Sequence, residues 1–386
     1  MIRNRPLSSL LPAAIILSAC AASQTSSSDP VPVRVELQRA LDSLRVSSRF
    51  PGATLGVALE DGSTFALATG LADTAARVSM RADDRLHIGS VGKTFVAAIV
   101  LQLVEEGLLA LDDPVSRWLG ELPWYSRFPN ASSLTVRTLL NHTSGIGVEE
   151  WDPDYFPTLL REPDKIWTVE ERVRFLLDTP ARYPVGEVWA YQDFNYHLIG
   201  AVIERVTGAP YEVELRRRLL EPLGLRETRP ADRRELPGLV QGYATEGDPV
   251  PGPMIRDGRM LFNPQTEWTA GGMIATSEEL ARWMKLLFEG RAFDRALLPT
   301  MLDGVPASGV PWPNTRYGLG VFLRPTPLGM SYGHSGYFPG YRADAMYFPD
   351  HRIAVAVQLN TSARDATPTP TSEFLIQVAR ILLRPA

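Results

Sequence analysis

Both ends of the chain carry the hydrophobic pattern of β-strands. Apolar runs at 53–59 and 63–68 flank Asp61-Gly62, a dipeptide typical of a tight turn between two paired strands. Further strand-like runs occupy 317–323, 330–333, 342–348 and 353–359. We therefore predict an antiparallel sheet built from the N- and C-terminal segments of the chain.

Apolar residues recur at helical spacing in the middle of the chain and near its two ends. Terminal helices are predicted at 33–46 and 372–383, and an unbroken apolar run at 91–106 predicts a buried helix that ends at Gly107. Shorter helices are predicted at 136–140, 169–177, 196–207, 211–220 and 277–288. The predicted fold class is α+β, an α/β sandwich whose sheet is flanked by helices, with a helical subdomain inserted at roughly 112–290.

The first twenty residues are typical of an export signal. Arg3 and Arg5 precede an apolar stretch at 10–17, which is too short to span a bilayer. The stretch ends in Leu17-Ser18-Ala19-Cys20, which resembles the bacterial lipobox, whose cysteine is lipid-modified. We predict a signal peptide at 1–19, a lipidated tether at 20–33 and a functional domain at 34–386.

This resemblance implies a membrane-anchored lipoprotein in the cell envelope, held by acyl chains on Cys20 and facing the periplasm. Ala21 after the cysteine implies the outer membrane, in a cell that has one. The alternative is a plain secretory signal with an incidental cysteine.

Composition excludes several classes of function. The 386 residues are 45% hydrophobic and 22% charged, which is typical of a globular protein, and the net charge of −5 argues against a nucleic-acid partner. The single cysteine excludes an internal disulfide and a cysteine-rich metal site. We expect no metal and no cofactor.

Ser90 and Lys93 are three residues apart at the start of the predicted buried helix, so their side chains share one face. A serine hydroxyl needs a base, and a lysine amine can act as one when burial and neighbouring positive charge favour its neutral form. Only three of the 39 basic residues are lysines, and arginine cannot act as a base. The segment also resembles the end of a phosphate-binding loop, but that motif requires glycine where His87 stands.

Four further motifs follow in order along the chain. They are Asn141-His142-Thr143-Ser144-Gly145, Tyr191-Gln192-Asp193, Ala270-Gly271-Gly272 and His334-Ser335-Gly336-Tyr337. With Ser90 and Lys93, they resemble the serine β-lactamase-like and penicillin-binding-protein-like hydrolases over roughly 38–382. That family includes class C β-lactamases, D-Ala-D-Ala carboxypeptidases and related esterases, and it implies a β-lactamase/transpeptidase-like fold.

The resemblance assigns a role to each matching residue. It implies that Ser90 is the acylated nucleophile and Lys93 its base. Tyr191 would return a proton to the leaving group, either as a phenolate or through a hydrogen-bonded chain with Lys93. Asp193 stands where asparagine is commonest, which places a negative charge beside the site.

The resemblance also implies a substrate-binding strand. His334, Ser335 and Gly336 match the family's Lys-Thr-Gly, and the N–H groups of Ser90 and Tyr337 would form the oxyanion hole. Because histidine is largely neutral near pH 7, His334 favours a peptidase or esterase over a β-lactamase.

The expected function is an extracytoplasmic serine hydrolase that forms an acyl-enzyme on a small peptide, ester or β-lactam. A D-Ala-D-Ala-type peptidase or an esterase is favoured. The alternatives are a β-lactamase and a catalytically inactive lipoprotein that binds cell-wall peptides. We expect His142 and Ser144 to fix a turn and His87 to pack in the core, and an ordinary surface or salt-bridged role for Arg342 rather than carboxylate binding.

Overall fold

The computed structural model describes Met1 and residues 31–147, 154–363 and 365–384. Apart from Met1, the predicted signal peptide at 1–19 lies outside these residues, as do Cys20 and most of the tether. Among the helices that are described, none combines the length and the apolar character needed to cross a bilayer.

Twelve helices are present in the described residues. They are α1 (Val31–Val46), α2 (Lys93–Glu105), α3 (Ser116–Leu119), α4 (Val136–Leu140), α5 (Tyr155–Arg161), α6 (Val169–Val173), α7 (Asp193–Thr207), α8 (Tyr211–Leu215), α9 (Glu221–Leu223), α10 (Ser277–Phe288), α11 (Leu298–Met301) and α12 (Thr371–Leu382).

Sixteen strands are present in the same residues. They are β1 (Gly52–Ala58), β2 (Thr64–Asp73), β3 (Val78–Ser79), β4 (Leu86–His87), β5 (Arg229–Pro230), β6 (Tyr243–Ala244), β7 (Gly252–Pro253), β8 (Ile255–Arg256), β9 (Arg259–Met260), β10 (Met273–Ala275), β11 (Val305–Pro306), β12 (Arg316–Tyr317), β13 (Phe322–Thr326), β14 (Gly329–Phe338), β15 (Tyr341–Phe348) and β16 (Ile353–Leu359).

The main sheet joins the two ends of the chain. Its order over the described residues is β11-β12-β13-β14-β15-β16-β1-β2-β3, and the N-terminal strand β1 pairs antiparallel with the C-terminal strand β16. This pairing confirms the predicted sheet. The small sheet β4-β10-β5 connects the segment just before Ser90 to residues after 270.

Helices cover both faces of this sheet. On one face, Leu37, Leu41 and Leu44 of α1 recur at helical spacing and pack with α12 against alternate residues of β1 and β16. On the other face, α10 crosses β1 so closely that a Cβ on Gly56 would lie 1.8 Å from the carbonyl oxygen of Ser277. This approach explains why a strand interior contains glycine.

The middle of the chain packs around α2, ten of whose thirteen residues are buried. Helix α10 lies within the stretch predicted as the helical insertion, yet it packs on β1 and β16 of the main sheet. The predicted strand at 317–323 is wrong, because Gly318 to Val321 form a turn between β12 and β13, with φ +75° at Gly320.

Candidate active site

Ser90 lies in a 3-10 turn, Gly89–Gly92, and α2 begins only at Lys93. The turn packs directly on β14: a Cβ on Gly89, whose φ is +50°, would lie 2.5 Å from the backbone nitrogen of Tyr337. A Cβ on Gly336 would lie 1.9 Å from the carbonyl oxygen of Ile88. Both glycines are therefore needed to bring the serine turn against this strand.

The Lys93 side chain is fully buried and its nitrogen contacts three oxygen atoms. Nζ lies 3.0 Å from Ser90 Oγ and 2.5 Å from Asp193 Oδ1, and it also hydrogen-bonds to the carbonyl oxygen of Ala270. A neutral amine could donate to Asp193 and Ala270 and accept the hydroxyl proton of Ser90, whereas an ammonium would donate to all three.

The charged group in contact with Lys93 is the carboxylate of Asp193, not a positive charge that would favour the neutral amine. Asp193 is the first residue of α7, and its side chain is 30% exposed. An ammonium formed when Lys93 takes the proton of Ser90 would be stabilised by this carboxylate.

Tyr191 is partly buried beside Ser90 and Lys93, and its ring centre lies 5.0 Å from Lys93 Nζ. Burial and then the negative charge of Asp193 raise the pKa of Tyr191 well above its ordinary value, although Ser90 opposes the shift. A resting phenolate is therefore disfavoured. Among the described residues the Tyr191 hydroxyl has no hydrogen-bond partner, so the expected hydrogen-bonded chain to Lys93 is not formed in this structure.

The Asn141–Gly145 motif supports Tyr191 from behind. The imidazole of His142 lies 4.2 Å from the Tyr191 ring between centres, and His142 Nδ1 accepts from the backbone N–H of Gln192 at 3.2 Å. Asn195 links His142 Nδ1 at 3.0 Å to Ser144 Oγ at 2.8 Å. His142 and Ser144 therefore fix a turn, as expected, and that turn positions Tyr191.

His334 lies on β14 with both ring nitrogens engaged. Burial and then the charge of Lys93 hold the pKa of His334 well below its ordinary value, so the ring is neutral. Tyr317, whose pKa burial raises, keeps its proton, so its hydroxyl donates to Nε2 at 2.9 Å. Because Nε2 accepts, we assign the single ring proton to Nδ1, which donates to the carbonyl oxygen of Ser335 at 2.5 Å.

Ser90 opens into a cavity of about 550 Å³. Its described lining is mostly aromatic or apolar and comprises Ser90, Trp189, Tyr191, Gly309, Val310, Pro311, Trp312, Phe322, His334, Ser335, Gly336, Tyr337, Arg342 and Ala343. Within this lining Arg342 is the one charged side chain, and its Nη1 donates to the carbonyl oxygen of Ala363 at 3.0 Å. A larger depression, about 730 Å³, lies beside α12, away from Ser90.

Sequence reasoning placed six of these residues at the site, and the structure brings them together: Ser90, Tyr191, His334, Ser335, Gly336 and Tyr337. Lys93 and Asp193 lie behind Ser90 rather than in the cavity lining. Sequence reasoning missed Tyr317 and Asn195, and it gave no role to the carbonyl of the motif residue Ala270.

Glu267 is a further titratable group near Lys93 that sequence reasoning missed. Burial and then the charge of Asp193 raise the pKa of Glu267 to about 7, against the opposing charges of Lys93 and Arg172. It starts the turn Trp268–Ala270, whose last carbonyl accepts from Lys93. Arg172 Nε and His197 Nε2 hold the carbonyls of Thr266 and Glu267 at 3.1 Å each.

His87 packs in the core, as expected. Its ring stacks on Phe338 at 3.8 Å between centres, and burial lowers its pKa to about 3. Nδ1 accepts the backbone N–H of Gly89 at 3.2 Å, so this histidine also holds the serine turn. In the described part of the chain, no group of three His, Cys, Asp or Glu residues is arranged to hold a metal ion.

A serine hydroxyl in a cavity, a buried lysine touching it and a tyrosine beside both define the class of active site found in serine β-lactamase-like proteins. The family model described as Beta-lactamase matches residues 37–378. The chain belongs to the beta-lactamase family, which confirms the resemblance seen in the sequence.

Individual relatives agree with this assignment. The chain is 28% identical over 259 residues to the penicillin-binding protein PbpX of Bacillus subtilis (strain 168), covering 66% of this chain and 56% of that protein. It is 34% identical over 210 residues to the esterase EstB of Burkholderia gladioli, covering 52% of each. The chain thus spans little more than half the length of these two relatives.

Solved structures confirm the β-lactamase/transpeptidase-like fold. The D-stereospecific amidohydrolase from Streptomyces sp. superposes with a TM-score of 0.75 at 30% identity, covering 89% of this chain and 97% of that one. The named relatives include an esterase and an amidohydrolase, in agreement with the expected enzyme class.

Proposed function

We propose that this chain is a serine hydrolase that cleaves small amides or esters through an acyl-enzyme on Ser90. The observation that carries the proposal is the 3.0 Å contact between Lys93 Nζ and the hydroxyl of Ser90, at the base of a cavity. The relatives that are named as an esterase and as a D-stereospecific amidohydrolase support the two substrate classes.

The first step follows from the contacts of Lys93. As Ser90 Oγ attacks the substrate carbonyl, its proton passes to Lys93 Nζ, and the ammonium that forms lies against Asp193 at 2.5 Å. The oxyanion would lie against the N–H groups of Ser90 and Tyr337, whose backbones the two glycines bring together.

The leaving group then needs a proton. Tyr191, whose raised pKa keeps it protonated, can donate its phenolic proton to the leaving nitrogen or oxygen and recover one from Lys93. Attack of water on the acyl-enzyme reverses these transfers and frees Ser90.

A D-stereospecific peptidase, an amidase or an esterase is a better candidate than a β-lactamase. The neutral ring of His334, with both nitrogens engaged, offers no cation at the strand position where the family has lysine, so the carboxylate of a β-lactam would depend on Arg342 alone. From the sequence we expected a surface or salt-bridged role for Arg342. Arg342 instead lies in the cavity lining, where it can attract an anionic group of a substrate.

A substrate panel tests the proposal. It comprises nitrocefin, p-nitrophenyl butyrate, a D-Ala-D-Ala tripeptide and D-phenylalanine amide, with a fluorophosphonate probe to label the nucleophile. We expect ester or D-amide turnover and labelling that Ser90→Ala abolishes. Absence of both labelling and turnover would support the binding lipoprotein, and nitrocefin as the best substrate would support a β-lactamase.

We further infer a lipid-anchored location in the cell envelope, on the strength of the lipobox-like Leu17-Ser18-Ala19-Cys20. Labelled palmitate should be incorporated into the full-length chain in a bacterial host, and Cys20→Ala should abolish incorporation. Export without lipid incorporation would instead support the plain secretory signal.

A further inference from the structure

Tyr337 has two distinct parts at the site. Its backbone belongs to the proposed oxyanion hole, while its side chain lines the cavity and is 45% exposed at the rim. An exposed tyrosine samples several rotamers unless another group binds it. A fixed position of the Tyr337 ring at the rim therefore needs a contact that restrains the side chain.

The hydroxyl of Tyr337 donates to Asp248 Oδ1. Asp248 lies between β6 and β7, 89 residues earlier in the chain. Its other oxygen, Oδ2, accepts from Ser362 Oγ at 2.6 Å and from Thr245 Oγ1 at 2.9 Å. The carboxylate therefore connects three separate segments.

Ser362 also connects Asp248 to the turn that joins β14 to β15. Ser362 Oγ accepts the backbone N–H of Gly340 at 2.9 Å, and the carbonyl of Gly340 accepts the N–H of Tyr243 at 3.2 Å. Although burial alone would raise the pKa of Asp248, hydrogen bonds from Ser362, Tyr337 and Thr245 lower it, so the acceptor is ionised. Bonds to an ionised acceptor are the stronger kind.

We propose that Asp248 is a positioning residue that fixes the Tyr337 ring at the cavity rim and thereby limits the size of the substrate group that fits beside Ser90. This inference rests on the proposed hydrolase function. It assigns Asp248 to substrate selection and not to proton transfer, because its contacts lie at the rim and not at Lys93.

The test compares Asp248→Ala, Tyr337→Phe and the double variant on two ester series. One series lengthens the acyl chain of p-nitrophenyl esters from two to eight carbons, and the other lengthens the alcohol of acetate esters. In at least one series, each single variant should raise the ratio of kcat/KM for long over short substrates about three- to tenfold. The double variant should show no further rise, because both changes remove the same bond.

A matched control removes a carboxylate elsewhere. Asp164 pairs with Arg234 and Arg259 outside the cavity lining, and Asp164→Ala should leave the ratio unchanged. A uniform fall for all esters in Asp248→Ala, or an additive effect in the double variant, would overturn the proposal.

A second readout does not depend on turnover. Nitration of Tyr337 by tetranitromethane, mapped by mass spectrometry, should be faster in Asp248→Ala than in the wild-type protein. If the wild-type protein turns over neither an ester nor a D-amide, the proposed function fails, while nitration still reports the contact between Tyr337 and Asp248. Unchanged nitration, or faster nitration without a change in the ratio, would overturn the inference.

Discussion

The side-chain nitrogen of Lys93 lies 2.5 Å from Oδ1 of Asp193, behind the hydroxyl that Lys93 contacts at 3.0 Å. Asp193 occupies the position where the family commonly has an uncharged amide. The pair therefore gives the site a built-in counter-ion for the ammonium that proton transfer would create.

Asp193→Asn should slow acylation, because the ammonium formed at Lys93 would lose its carboxylate in a largely buried place. Burst or single-turnover kinetics with an ester should show a fall of about 10- to 100-fold in the acylation rate. Asp164→Asn, which disrupts an exposed pair, is the control. An undiminished rate in Asp193→Asn would show that the counter-ion is dispensable.

Glu267→Gln should change how stability depends on pH. In the folded protein burial raises the pKa of Glu267 from 4.5 to about 7, so the folded state holds this proton more tightly than the unfolded state. The wild-type protein therefore loses stability as pH rises from about 4.5 to 7, and the glutamine variant escapes this loss.

Urea unfolding at pH 4.5 and pH 8 measures this difference. At the higher pH the free energy of unfolding of the variant should exceed that of the wild-type protein by roughly 1 to 3 kcal/mol. Glu60→Gln, at a position 68% exposed in its side chain, should show no such gain. Equal pH dependence for the wild-type protein and Glu267→Gln would contradict the assignment.

His87 should contribute to acid unfolding. Because burial lowers its pKa from 6.5 to about 3, only the unfolded state binds the proton in this interval, and stability falls as pH drops below 6.5. One such group contributes about 1.4 kcal/mol per pH unit.

His87→Phe keeps a ring against Phe338 and removes the titration. At pH 7 the free energy of unfolding of the variant should be about 1 kcal/mol lower, because the hydrogen bond from Gly89 is lost. Between pH 6.5 and 4, however, its free energy of unfolding should fall less steeply than that of the wild-type protein. His351→Phe, on the hairpin between β15 and β16, is the control. A slope as steep in His87→Phe as in the wild-type protein would refute this role.

Arg342→Gln should change selectivity by substrate charge. As the charged side chain in the described cavity lining, Arg342 would favour an ester with a free carboxylate over its neutral methyl ester. Steady-state kinetics on such a pair should show a loss of about 5- to 30-fold in this preference. The effect should shrink at high salt, and a preference that survives the substitution would place the carboxylate elsewhere.

The sheet and its flanking helices could be predicted because each depends on local patterning, whereas the predicted helix start at Ser90 is a 3-10 turn. Hydrophobic spacing predicted α1, α10 and α12 almost to the residue, and Asp61-Gly62 predicted the hairpin. The predicted strand at 317–323 failed because Gly318 to Val321 turn the chain, and apolar content alone does not reveal such a turn.

The contacts behind the nucleophile could not be predicted from spacing. Lys93 and Asp193 are 100 residues apart, and Asp248 and Tyr337 are 89 apart, so only the folded chain brings them together. For the same reason, spacing alone could not show that the charged group in contact with Lys93 is a carboxylate.

The most direct test of the central claim is the rate at which an ester acylates Ser90 in Lys93→Arg, compared with Lys285→Arg. Lys285 is also buried, but it binds Glu289 and the carbonyl of Arg352. Because a guanidinium cannot accept the serine proton, Lys93→Arg should lose at least about 1,000-fold in acylation rate, while Lys285→Arg should stay within a few fold of the wild-type protein. A folded Lys93→Arg protein with the full acylation rate would contradict the role of Lys93 as the base.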